Sequence, residues 1–228
     1  EDLYTIPGYS FIARSRLVRT GGGVGLFIND DFRYNVRDDL RSDNNDIDSM
    51  FIELSLSNVI VGCVYRRPNS DVNMFSTYID SVLSRINIEK RVGYVTGDLN
   101  VNLLKFDVHA PASDFVNCIF SHSFLPVIDK PTHITESTAT LIDNIITNDN
   151  LVSPISRIIY TDISDHMPVL FQIGTIAKPS KPVCYYKRKI NDEGKRKFSN
   201  SLEDIDWNLH ISNSDSLDNK YDTLMNTI

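Results

Sequence analysis

The early chain carries the short-period patterning of β-strands. "YSFIARS" (9–15) and "VGLFIND" (24–30) flank a Gly-rich link, "RTGGG". The glycines lead into another strand-like segment, so no helix N-terminus is offered to a phosphate, and the link is a hairpin or loop. "MFIELSLS" (50–57) alternates apolar and polar residues, which predicts a half-buried strand. "NVIVGCVYR" (58–66) is more continuously apolar and predicts a strand covered on both faces. The period then changes. In "SDVNMFSTYIDSVLSRINIE" (70–89), Met74, Phe75, Tyr78, Ile79, Val82, Leu83 and Ile86 recur at helical spacing, with Ser70 or Asp71 available as N-cap. A strand in "RVGYVTGD" and a short helix over 112–123 follow. "ATLIDNIITN" (139–148), "ISRIIYTD" (155–162) and "HMPVLFQIG" (166–174) predict three more strands. Many strands with few crossover helices predict a sheet-rich, layered α/β sandwich rather than a regular parallel βαβ array.

Around 175–184, "TIAKPSKPVC" loses periodicity and marks a domain edge, giving 1–174 and 175–228 as separate regions. Beyond it, "NDEGKRKFSNSLEDI" and "NKYDTLMNTI" predict helices capped by Asn191 and Asn219, with little apolar surface.

Composition narrows the function classes. A chain of 228 residues with 41% hydrophobic content can build a substantial core, and no apolar run is long enough to span a bilayer. The opening "EDLYTIPGYS" has neither a secretory pattern nor an initiator Met, the expectation for a piece of a longer chain. Cys63, Cys118 and Cys184 are far apart, form no zinc spacing and suit free thiols in a reducing compartment. The net charge of −7 argues against gripping nucleic acid by charge alone, although "ARSRLVR", "YRRP" and "YYKRKINDEGKRK" are locally basic. It leaves room for a site that gathers carboxylates around a divalent cation.

Candidate chemistry sits at strand ends. "YVTGDLNVN" stops a strand at Gly97 and then presents Asp98 and Asn100, a pattern that suits either a turn or a site. Asp143 interrupts the apolar "LIDNI", where an unpaired carboxylate is costly, and His166 in "SDHMPV" would serve as its partner. Singly, each residue has an ordinary structural role: a turn, an ion pair, an aromatic at a strand end for Tyr65. Together they supply carboxylates to activate water and hold a cation, with an imidazole and a phenol to contact phosphate.

The order "VYRRPN … GDLNVN … PTHIT … TLIDNIITN … SDHMPV", with the opening "IPGYSFIARSR", resembles the endonuclease/exonuclease/phosphatase superfamily. Within it, the chain looks most like the apurinic-type endonuclease domain of non-LTR retrotransposon polyproteins. The resemblance implies two mostly antiparallel sheets flanked by helices, here incomplete at the N-terminus. It implies that Asp98 orients or deprotonates water and that Asn100 positions nucleophile and phosphate. His166, oriented by Asp143, would contact the scissile phosphate; Tyr65 would hydrogen-bond it, and Asp165 would ligate Mg²⁺ or Mn²⁺. Thr132, Ser164 and Arg66 fall at positions that support substrate binding. Hydrolysis of a DNA phosphodiester would leave a 3′-hydroxyl to prime a covalently linked reverse transcriptase, with DNA as partner, no membrane, and a nuclear location. The family's catalytic Asn and metal-binding Glu lie upstream of the segment matching "IPGYSF". A chain starting at Glu1 is therefore expected to bind Mg²⁺ poorly and cut feebly. A related phosphoesterase and a non-catalytic DNA- or partner-binding remnant are the competing readings.

Overall fold

The long helical-period segment forms its helix because an apolar stripe and a cap coincide. In the computed structural model, residues 5–15, 22–55, 57–149, 155–173, 191–207 and 220 are described. In chain order the elements are β1 (Tyr9–Ser15), β2 (Gly23–Asn29), β3 (Tyr34–Val36), β4 (Ile47–Leu54), β5 (Val59–Arg66), α1 (Val72–Ile88) and β6 (Val92–Asp98). They continue with α2 (Ala110–Ser121), β7 (Leu125–Pro126), β8 (His133–Ile134), β9 (Ala139–Thr140), β10 (Asp143–Thr147), β11 (Ile155–Ile158), β12 (Val169–Gln172) and α3 (Asp192–Glu203). The Asp71 carboxylate accepts from the Asn73 N–H at 2.7 Å and caps α1. Phe75, Ile79, Val82, Leu83 and Ile86 are buried, while Met74 turns to solvent.

α1 is the crossover that lets β5 and β6 run parallel. They lie at the centre of a six-stranded mixed sheet of order β3-β4-β5-β6-β10-β7, whose other pairings are antiparallel. On one face, Phe51, Ile60, Val64, Val95 and Ile146 meet Phe75, Ile79, Leu83, Phe115 and Ile119 of the two helices. Phe75 and Phe115 stack there with ring centroids 5.4 Å apart. The antiparallel β1–β2 ribbon packs against β4 and β5, and β12 of the β11–β12 ribbon packs against β10. The layered α/β expectation holds. The second layer consists, among the described residues, of separate two-stranded ribbons.

Three local expectations are corrected. β4, expected to be half-covered, buries Met50, Phe51 and Ile52 in succession, so both its faces are covered. β5 alternates buried and half-buried positions with none exposed, in keeping with a strand covered on both faces. Its outward residues Val61, Cys63 and Tyr65 share the sheet face that carries the candidate chemistry. Second, the strand expected over 139–148 breaks at Leu141–Ile142, because the chain changes partner: Thr140 pairs with His133, and Asp143 with Asp98. Third, the segment 166–174 becomes strand only at Val169, after Pro168, which has no N–H to give a ladder; His166 makes an isolated bridge to His133.

The chain divides into two compact units, Glu1–Thr175 and Ile176–Ile228. In the second, Asn191 caps α3 by accepting from the Gly194 N–H at 2.8 Å. The helix expected at "NKYDTLMNTI" lies outside the described residues apart from Lys220. Cys63 and Cys118 are free thiols, and Cys184 lies outside the described residues.

Candidate active site

Register brings the chemistry together. Cys63 of β5 is level with Thr96 of the parallel β6, so Tyr65 and Asp98, two residues further on, come level at the strands' C-terminal ends. Asp143 of the antiparallel β10 sits directly opposite Asp98. Because Val64, Val95 and Ile146 enter the helix-side core, alternation turns Tyr65, Asp98 and Asp143 onto the opposite face. Asp48 of β4, the cross-strand partner of Tyr65, belongs to the same face.

The turn expected at "GDLN" is present, and it carries the candidate residues Asp98 and Asn100. Gly97 has φ +142°, and a Cβ there would stand 1.8 Å from the Val64 carbonyl oxygen, so only glycine fits. Asn100 has φ +48°. Its backbone N–H donates to Asp98 Oδ1 and its Nδ2 to Asp98 Oδ2, both at 3.0 Å, an Asx-type turn closed on the carboxylate. Burial raises the Asp98 pKa above the usual carboxylate range; the Asn100 N–H opposes this, Asp143 adds to it, and His166 opposes it.

Arg66, expected to support substrate binding, does not lie on the face that carries Asp98 and Asp143. It is 3% exposed and points to the helix side, with its guanidinium 6.0 Å from the Phe75 ring centroid. Its donors go to the carbonyls of Leu99 (2.8 Å), Ser70 (2.6 Å) and Asn100, and to the Ser70 hydroxyl (3.0 Å). Asn100 Nδ2 returns a bond to the Arg66 carbonyl at 2.7 Å. Arg66 therefore clamps the loop that carries Asp98 and Asn100.

His166 Nδ1 lies 3.0 and 3.1 Å from the two carboxylate oxygens of Asp143. Donation from Nδ1–H leaves Nε2 as the free ring nitrogen. Thr132, fully buried, supports both residues: its Oγ1 accepts from the N–H of Asp143 (3.0 Å) and of Ile142 (3.3 Å), and its carbonyl accepts from Met167 N (2.6 Å). Ser164 Oγ accepts from His166 N at 3.1 Å and donates to Asp165 Oδ1 at 3.3 Å. Asp165, expected to ligate the cation, meets His133 Nε2 at 3.1 Å through Oδ2. That bond holds its pKa below the usual range. His133 also faces His166, with ring centroids 4.6 Å apart. Nothing in the local sequence singles out His133 or Asp48. "PTHIT" contains the former, but its partner is 32 residues away, and Asp48 is exposed as relevant only by register.

Among the described residues two groups of ligand atoms result, each spanning no more than 4.8 Å: Asp98, Asp143 and His166, and His133, Asp165 and His166. Oxygen donors dominate the first, which suits a hard cation such as Mg²⁺ or Mn²⁺. The raised pKa of Asp98 beside Asp143 is what an approaching cation would relieve.

No protein-family model and no curated protein sequence matches the chain. Solved structures do. The endonuclease domain of TRAS1, a telomere-specific non-LTR retrotransposon, superposes with TM-score 0.60 at 14% identity, over 75% of this chain and 83% of that one. An endonuclease/exonuclease/phosphatase from Bacteroides vulgatus gives 0.51 at 18%, over 74% and 77%. The catalytic domain of Xenopus laevis APE2 gives 0.51 at 16%, over 72% and 75%. At such identities the likeness is one of architecture: the chain has the endonuclease/exonuclease/phosphatase fold.

Proposed function

We propose that this chain is a divalent-metal-dependent DNA endonuclease of the non-LTR retrotransposon type. The observation that carries the reading is the His166–Asp143 pair, 3.0 Å apart, set directly beside Asp98 on one sheet face with Tyr65 at the same level. The similarity in fold to the TRAS1 endonuclease domain supports the choice of substrate class.

Asp98 and Asp143 would hold Mg²⁺ or Mn²⁺ through carboxylate oxygens. When bound, the ion supplies charge neutralisation at the phosphate and lowers the pKa of water. The chain's own residues do the rest. Asp98, fixed by the Asn100 turn, orients the attacking water and accepts its proton. Asn100 holds Asp98 in place and lies beside the nucleophile's position. His166, its ring fixed by the Asp143 carboxylate, presents Nε2 to a phosphate oxygen. The Tyr65 phenol donates to another phosphate oxygen. Thr132, Ser164 and Arg66 keep these groups in position. Within this reading the product is a nick with a 3′-hydroxyl, used by a reverse transcriptase in the same polyprotein, in the nucleus. Among the described residues no helix is long and apolar enough to cross a membrane.

Nicking of supercoiled plasmid with Mg²⁺ tests the proposal. Wild-type chain should convert supercoiled to open-circular DNA only slowly, and H166A and D98N should each lower that rate at least ~10²-fold further. Nicking that H166A and D98N leave unchanged would point to a contaminating nuclease. DNA binding without nicking would favour the non-catalytic reading, and hydrolysis confined to small phosphodiesters would favour a phosphoesterase.

A further inference from the structure

The second ligand group shares only His166 with the chemistry above, and its donors differ in kind. We propose that His133, Asp165 and His166 form a binding site for a borderline divalent transition-metal ion, of the Zn²⁺ or Co²⁺ class. Two imidazoles and one carboxylate are a donor set that such ions prefer and Mg²⁺ does not. Donors bound at about 2.0–2.1 Å around a tetrahedral ion lie roughly 3.3–3.5 Å apart; here His133 Nε2 and Asp165 Oδ2 are 3.1 Å apart, and the three ligand atoms all lie within 4.8 Å of one another, close enough for a small closure around an ion. The backbone bridge between His133 and His166 fixes the two imidazoles side by side.

Each donor also has an orienting partner, the arrangement that tunes metal ligands. Asp143 holds His166 at Nδ1, leaving Nε2 for the ion. Thr140 Oγ1 lies 3.4 Å from His133 Nδ1, which leaves His133 Nε2 outward. Ser164 donates to Asp165 Oδ1, leaving Oδ2. The three protein ligands leave a fourth position for water. The side chains of His133, Asp165 and His166 are 21%, 60% and 37% exposed, so the ion has an open path.

The consequence follows from the shared residue. An ion on His166 Nε2 occupies the nitrogen that the endonuclease reading gives to the phosphate, so the site is inhibitory. That consequence rests on the proposed function, whereas ion binding does not. The test therefore reads binding directly. Full chain, its thiols blocked with iodoacetamide so that Cys63 and Cys118 cannot contribute, is titrated with Co²⁺ in excess Mg²⁺. The d–d absorption of the bound ion reports coordination, and calorimetry with Zn²⁺ gives stoichiometry. One ion per chain is expected, with affinity falling at least ~10-fold in H133N and in D165N and unchanged in D98N. Circular dichroism checks the fold, and the exposed D165N answers the question should H133N not fold. Wild-type affinity in both H133N and D165N, or loss in D98N with retention in H133N, would overturn the assignment. In the same preparations, Zn²⁺ should suppress wild-type nicking. If the chain binds Co²⁺ but never nicks DNA, the function fails and the site stands.

Discussion

Asp98 is asked to be both buried and charged, and its pH behaviour should show the conflict. Its folded pKa is raised, chiefly by burial. A carboxyl raised on folding contributes stability that is fully present below its unfolded value of about 3.9, and loses it as pH climbs through the folded value. The wild-type unfolding free energy minus that of D98N should therefore decline from pH ~4 upward and flatten once Asp98 is ionised in both states. Urea midpoints across pH 3–8 measure it, and a difference that rises over that window would mean that the Asn100 bonds outweigh burial. At the neighbouring position, G97A sets a Cβ 1.8 Å from the Val64 carbonyl oxygen at φ +142°. The backbone must move, and a loss of at least ~3 kcal/mol by the same measurement is expected. At this scale the sequence was informative about residue identity and silent about direction. Asp98, Asn100, Asp143 and His166 stand out as polar groups at apolar strand ends. Arg66 does not reveal that it faces inward, because side-chain direction follows from strand parity within a sheet whose other members are distant in sequence.

Elements were legible where one periodicity ran unbroken. α1 carries its own cap and its own stripe, so its start at Val72 after Asp71 follows from local residues. Coverage of β4 did not, since it depends on which layers pack against the strand. The break between β9 and β10 was hidden for a related reason: a change of hydrogen-bonding partner leaves no mark in an apolar run such as "TLIDNII". Thr132 holds that break together through two accepted N–H bonds to Ile142 and Asp143. T132V keeps the volume and removes the acceptor, leaving two buried N–H groups without it. The expected cost is about 1–3 kcal/mol in unfolding free energy. T132S, which keeps the oxygen, should recover most of it. Under the endonuclease reading T132V should also slow nicking more than it raises KM, because it loosens Asp143 and with it His166. A fall in nicking that tracks only the folded fraction would reduce Thr132 to a purely structural role.

For the whole molecule, charge bounds how DNA could be held. The chain has 23 Lys and Arg against 30 Asp and Glu. Many of its described arginines are already committed: Arg14 to Asp38, Arg37 to Asp39, Glu53 and Glu89, Arg41 to Asp43, Arg67 to Asp46, Arg85 to Glu89 and Arg91 to Glu53. Arg66 is buried on carbonyls. Each phosphate neutralised by a basic side chain adds about −0.9 to the slope of log K against log salt on duplex DNA. With these arginines committed and a net charge of −7, the slope should be shallower than about −4. Fluorescence anisotropy of a short duplex, titrated with chain in EDTA from 50 to 200 mM salt, measures it without cleavage. A slope near −8 would show that the ion pairs open and their arginines turn to the backbone. A shallow slope with measurable affinity would place recognition in local phosphate and groove contacts around the Tyr65–Asp98–His166 face. Under those conditions, adding Mg²⁺ should strengthen binding, because a cation between Asp98 and Asp143 removes the repulsion those carboxylates exert on a phosphate. D98N should then bind more tightly than wild type in EDTA and gain less from Mg²⁺.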